Sequence, residues 1–158
     1  MKEANAKILL VDDDDSLRRV LEFQLSEAGH SVVSESDGRE ALKSYSAEDF
    51  DCVITDWRMP KITGSQLVQQ ATAINSEVPI IVITAFGDVD TAVEAMRGGA
   101  FDFITKPFNR QEILLTVEKA LKYGRALAEN RRLRRQIHED FRIENVIGTS
   151  DRMLQVFD

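Results

Sequence analysis

Five short apolar runs, each followed by a segment of helical spacing, constrain this chain more than any other feature. The runs are Ile8–Val11, Ser31–Ser34, Cys52–Thr55, Ile80–Ile83 and Phe101–Thr105. Behind the first, Leu17, Val20, Leu21, Gln24, Leu25 and Ala28 form one stripe that stops at Gly29. Behind the second, Asp37 caps a helix with Ala41, Leu42 and Tyr45 inward. Leu67, Val68, Ala71 and Ile74 follow the third run, and Val89, Ala92, Val93 and Met96 follow the fourth, stopped by Gly98-Gly99. Asn109 and Glu112 open the last helix, which carries Ile113, Leu114, Val117, Ala120 and Leu121. Strands of period two alternating with helices of period 3.6 predict an α/β fold with a doubly wound parallel sheet. The fifth run alternates more than the others, as an edge strand does.

The chemistry sits where the runs stop. The first ends at Asp12-Asp13, the third at Asp56, the fourth at Thr84-Ala85 and the fifth at Lys106-Pro107. Parallel sheets of this class gather the carboxyl ends of their strands at one edge, and ligands bind there. Three carboxylates, a hydroxyl and an ammonium would then converge. Each also has a simpler reading: Asp12–Asp15 as a helix start, Asp56 as a turn residue, Thr84 as a strand-end hydroxyl, Lys106-Pro107 as a solvated turn. Together those readings weaken. Clustered acids repel unless a cation or proton lies among them, and Mg²⁺ takes a few carboxylates plus phosphate oxygens.

Charge and cysteine content narrow the class. No apolar stretch approaches the roughly 20 residues of a membrane span, no secretory signal is visible, and Cys52 is the sole cysteine. A cytoplasmic protein without membrane contact is expected. Residues 1–110 hold 19 acids and 11 bases, net -8, whereas 111–158 hold 8 acids and 9 bases, net +1. An acidic body with a basic helical appendage follows.

Val11-Asp12-Asp13, Asp56 through Pro60, Gly64, Thr84-Ala85 and Lys106-Pro107-Phe108 resemble, in order and spacing, the receiver domain of bacterial two-component response regulators. The resemblance covers residues 7–122. It implies a flavodoxin-like sheet of order 2-1-3-4-5. It implies that Asp56 takes a phosphoryl group from a sensor histidine kinase, so neither His30 nor His138 is needed; both are expected on the surface. It further implies Mg²⁺ on Asp13 and Asp56, with Asp12 acting through water and the Arg58 backbone carbonyl completing the set. Lys106, Thr84 and the Ala85 amide would bind phosphoryl oxygens. Pro107 is a candidate for a cis bond. Phe103 matches a switch aromatic that fills space vacated by Thr84, or is a plain edge aromatic. Arg58 and Phe86 would flank the path of a hydrolytic water, the Phe86 ring prolonging the phosphoryl group's life.

The tail, Asn130 through Arg135 and Phe141 through Ser150 with Met153–Phe157, resembles the linker and opening of the AAA+ module in NtrC-type, sigma-54-dependent activators. The expected division is a receiver domain over 1–124, a coiled-coil-like linker over 125–141 and the start of an AAA+ domain over 142–158. No G-x-x-x-x-G-K-[ST] phosphate loop occurs, so the ATPase, and any contact with sigma-54 RNA polymerase or DNA, is expected to belong to further domains. Tyr123, Ala126, Asn130, Leu133 and Ile137 are spaced 3, 4, 3 and 4, a heptad seam for a parallel homodimer that also uses the fifth helix. An amphipathic spacer is the plainer reading.

Two other classes fit parts of the chain. Asp12-x-Asp14 after a strand suits a haloacid-dehalogenase-like phosphohydrolase, which leaves Asp56 and Met59-Pro60 unexplained. The Arg131–Arg135 run suits a nucleic-acid-binding protein, whose duplex the acidic body would repel.

Overall fold

A computed structural model describes residues 5–59, 61–85 and 88–148, with side chains as far as residue 140. Five strands, β1 Lys7–Val11, β2 Ser31–Glu35, β3 Cys52–Asp56, β4 Ile80–Thr84 and β5 Asp102–Thr105, alternate with five helices. The helices are α1 Asp15–Glu27, α2 Gly38–Ala47, α3 Gly64–Ile74, α4 Val89–Arg97 and α5 Arg110–Gly148. The sheet is parallel throughout, in the order β2-β1-β3-β4-β5. The expected order is therefore the one observed, and β5 is an edge.

Period two divides the central strands between two cores. Ile8, Leu10, Cys52, Ile54, Ile81 and Ile83 face Leu21 and Leu25 of α1 and Ile113, Val117 and Leu121 of α5. Leu9, Val11, Val53, Ile80 and Val82 face Ala41 and Tyr45 of α2, Leu67, Val68 and Ala71 of α3, and Ala95 of α4. Both faces of β1, β3 and β4 are covered, which is why those strands read as continuous apolar runs.

Side chains cap the starts of all five described helices. Asp14, Asp37, Thr63 and Asp88 accept backbone N–H groups of Leu17, Glu40, Gln66 and Thr91. Glu112 N–H donates to Asn109 Oδ1 at 2.8 Å at the head of α5.

Several expected positions differ. Val20 and Ile74 are exposed at the margins of the apolar stripes of α1 and α3, and Val89, Val93 and Met96 are exposed because α4 turns a neighbouring face inward, burying Thr91, Ala92 and Ala95. His30 is buried rather than on the surface, its Nδ1 accepting the Ala6 N–H at 3.4 Å, which ties the start of β2 to the approach to β1. His138 is exposed.

The chain divides into two compact units, Met1–Gly124 and Arg125–Asp158. Helix α5 runs to Gly148, past the linker end expected at residue 141, and residues 149–158 lie outside the described part. Among the described residues no helix is long and apolar enough to cross a membrane.

Candidate functional site

The ends of β1, β3, β4 and β5 deliver the expected residues to one edge. Asp12 directly follows β1, Asp56 and Thr84 close β3 and β4, and Lys106 directly follows β5. Parallel registry aligns the strands: Asp56 lies opposite Ile83, and Thr84 opposite Thr105. Backbone bonds then pin the exits. Trp57 N–H donates to Ile83 O at 3.0 Å, and Lys106 N–H to Thr84 O at 2.8 Å. The Lys106–Pro107 peptide is cis, as expected.

Gly64 explains how α3 comes so close. A Cβ there would lie 2.6 Å from Trp57 Cα and 2.7 Å from Asp56 O. Only a residue without a side chain lets the α3 N-terminus sit on the backbone that carries Asp56, and Gly64 N–H donates to Trp57 O at 2.9 Å.

The acidic run serves two purposes. Asp14 caps α1 and Asp15 pairs with Arg18, so the helix-start reading holds for them. Asp12 and Asp13 turn to the site instead. One carboxylate oxygen from each of Asp12, Asp13 and Asp56 lies within 4.8 Å of the other two. Asp12 and Asp56 are buried and Asp13 is exposed. Lys106 Nζ stands 3.7 Å from Asp56 Oδ2.

This edge holds unspent polar capacity. Asp12 Oδ1 accepts the Asp14 N–H at 2.9 Å, but Asp12 Oδ2 is buried without a partner, and so is Thr84 Oγ1. Buried polar atoms are nearly always satisfied, so two orphans on one sheet edge call for a ligand. Burial raises the Asp12 pKa to about 6, offset in part by the Asp14 amide and raised further by the neighbouring Asp56 charge. Burial also raises Asp56, against the lowering effect of Lys106 and of the Arg58 amide. Two carboxyls raised chiefly by burial and set beside a third make a concentrated acidic site. A hard divalent cation with oxygen ligands fits this donor set, and Thr84 Oγ1 with Lys106 Nζ suits an anionic oxygen.

Ala85 is exposed at the end of β4, and Phe103 on β5 is 37 % exposed, so its ring stands partly in solvent. Pro60 and Phe86 lie outside the described residues. Sequence reasoning missed the partner of the Arg58 side chain: NH2 pairs with Asp88 Oδ2 at 3.2 Å. Thirty residues separate the two, and no periodic signal joins them.

Asp14 Oδ1 accepts the Leu17 N–H at 3.1 Å, so the acid/base that a dehalogenase-like mechanism needs is engaged as a helix cap. In the basic run, Arg132 is paired with Glu129.

Comparison with known proteins agrees with this geometry. The family model "Response regulator receiver domain" matches residues 8–118. The C4-dicarboxylate transport transcriptional regulatory protein DctD of Pseudomonas aeruginosa is 40% identical over 150 residues, 94% of this chain and 32% of that protein. Regulatory protein AtoC of Escherichia coli is 33% identical over 150 residues, 95% of this chain and 32% of that protein. The chain thus spans about a third of the length of these curated relatives. Among solved structures, NtrX from Brucella abortus superposes with a TM-score of 0.79 at 31% identity, over 82% of this chain and 30% of that one. A receiver domain protein from Clostridium thermocellum gives 0.74 at 31% identity, over 77% of this chain and 98% of that one.

Proposed function

The chain belongs to the response regulator receiver domain family, and from that premise we propose that Asp56 accepts a phosphoryl group from the phosphohistidine of a sensor kinase. The observation that carries this reading is the cluster of Asp12, Asp13 and Asp56 beside two partnerless buried oxygens, Asp12 Oδ2 and Thr84 Oγ1. An Asp56 carboxylate oxygen attacks phosphorus, a P–O bond forms, the P–N bond of the donor breaks, and the leaving imidazole takes up a proton. Lys106 Nζ pairs with one phosphoryl oxygen, the Thr84 hydroxyl donates to another, and the Ala85 amide adds a third contact. Asp12, Asp13, Asp56 and the Arg58 backbone carbonyl would hold Mg²⁺, which supplies neutralisation of negative charge at the transferring group. Thr84, drawn to the phosphoryl group, leaves room into which Phe103 turns, changing the face of α4, β5 and α5.

The same reading extends outward. Residues 1–124 are the receiver, 125–141 a coiled-coil-like linker, and 142–158 the start of an AAA+ domain, as in NtrC-type sigma-54 activators. Relatives named as transcriptional regulatory proteins, about three times as long, support this. The phosphorylated receiver would control a homodimer through the linker seam and α5, and thereby an attached ATPase that meets sigma-54 RNA polymerase and DNA. The setting is the cytoplasm.

A small phosphodonor such as acetyl phosphate with Mg²⁺ should add one phosphoryl group by intact mass, and Asp56→Asn should abolish it. Equal labelling of that variant, or label on Asp12, would overturn the reading.

A further inference from the structure

The Arg58–Asp88 pair joins the two loops that flank the site. Arg58 lies two residues after Asp56, at the exit of β3. Asp88 lies four residues after Thr84 and caps α4. Its carboxylate is divided: Oδ1 accepts the Thr91 N–H at 3.1 Å, and Oδ2 holds Arg58 NH2 at 3.2 Å. The Arg58 side chain is 78% exposed, so this pair, rather than packing, sets where its guanidinium rests.

Helix α4 has little else to fix it. It spans nine residues and buries only Thr91, Ala92 and Ala95, while Val89, Val93 and Met96 stand in solvent. Its N-terminal ties therefore matter more than those of a well-packed helix.

Charge decides where the guanidinium goes. Three carboxylates face one ammonium at the sheet edge. Converting the Asp56 carboxylate to an acyl phosphate replaces one negative charge with nearly two and adds oxygens that a planar guanidinium can bridge. Asp88 offers Arg58 a single oxygen, its other being committed to the helix cap.

We infer that Arg58 is a shared cation, held by Asp88 before phosphorylation and drawn toward the phosphoryl group after it, so that phosphorylation unties the N-terminus of α4 from the loop that follows Asp56. This deepens the phosphoacceptor reading and rests on it. The cap itself survives, because Oδ1 keeps Thr91; only the tether is lost. Linkage makes the effect reciprocal: weakening the hold of Asp88 on Arg58 favours the phosphorylated state.

The test uses the whole 158-residue chain with acetyl phosphate and Mg²⁺. Asp88→Asn keeps an oxygen able to cap the helix and removes the charge that holds Arg58. It should raise the initial labelling rate by roughly two- to fivefold, the reach of one exposed ion pair. In an Arg58→Ala background, Asp88→Asn should have no effect on that rate. A second arm needs neither donor nor metal: Arg58→Ala should speed amide hydrogen exchange at Ala92 and Val93 in the unphosphorylated chain. Equal acceleration by Asp88→Asn with and without Arg58 overturns the competition, and unchanged exchange overturns the tether. Absence of label on the wild-type chain would overturn the phosphoacceptor reading and the competition with it, while exchange still reports on the tether.

Discussion

Helix α5 contains two regions that solve different problems. In its first turns Ile113, Val117, Ala120 and Leu121 are buried in one of the two sheet cores. From Arg131 to Asp140 every residue is exposed, Leu133 at 47% and Ile137 at 67% among them. The early turns owe their helical state to a sheet that covers their apolar face. The later turns have only propensity and local ion pairs such as Glu129–Arg132, which stabilise isolated helices by a few tenths of a kcal/mol each. Among the described residues nothing covers Leu133 and Ile137, which stand at heptad spacing of the kind that a second chain covers in a coiled coil.

Substitutions should therefore hurt the body far more than the extension. Gly64→Ala is the sharpest case. Its Cβ would press on Asp56 and Trp57 backbone atoms rather than on a flexible side-chain tip, so strand β3 or helix α3 must shift. A loss of about 2–3 kcal/mol is expected by urea denaturation, near the upper end for overpacking. Labelling at Asp56 should fall with it, since the same backbone carries the nucleophile. A stability change under about 0.5 kcal/mol, the range of an ordinary surface site, would mean that α3 can ride away from β3 freely, and the site is less rigid than argued.

The acidic edge is built against stability. Asp12 is held at a pKa of about 6, above its ordinary 3.8. In the metal-free chain the folded state therefore binds the extra proton between about pH 4 and 6. Stability from this group is fully present below the unfolded value and is lost as pH rises through the folded one. The effect should be on the order of 1–2 kcal/mol, since water screens the edge at exposed Asp13. With chelator present, the stability gap between Asp12→Asn and wild type should widen in favour of the variant from pH 4.5 to 7.5. Mg²⁺ should stabilise wild type more at pH 7.5 than at pH 5, and Asp13→Ala should blunt that gain. A gap that stays flat across this range would show that Asp12 is ionised throughout.

How legible these features were depends on whether the chain repeats itself locally. The strand ends at Asp12, Asp56, Thr84 and Lys106 could be placed because each apolar run stops at its functional residue, and parallel topology brings such stops together. Asp14 could not be separated from Asp12 by sequence, since capping and metal binding both favour aspartate just after a strand. Val89, Val93 and Met96 fit the helical period of α4, but the helix seats a neighbouring face through the small residues Thr91, Ala92 and Ala95, so hydrophobic spacing alone points to the wrong side. The burial of His30 and the pairing of Arg58 with Asp88 depend on loop paths between distant residues, which no period encodes.

The extension gives the smallest effect on folding and the clearest on assembly. Of the seam, Tyr123 is already engaged within the body: its ring centroid lies 5.1 Å from that of Phe101. The residues left for a partner are Ala126, Asn130, Leu133 and Ile137. In the parallel register Asn130 takes an a position, which favours two in-register strands at some loss of stability, and Glu129 at g faces the partner's e position, where Arg134 would stand. Within one chain Glu129 bonds Arg132 instead, so pairing must exchange that contact rather than add one. Four seam residues, one of them alanine, make a weak coil, so such a dimer would need α5 of the body as well. Leu133→Ala should leave the unfolding of the body within about 0.5 kcal/mol of wild type, yet shift sedimentation toward monomer at micromolar concentration. A chain ending at Gly124 should be monomeric and still accept label at Asp56. If the full chain is also a monomer, or if Asn130→Cys cross-links only in an antiparallel arrangement, the extension is an amphipathic spacer and the contrast between the two parts of α5 reflects solvation alone.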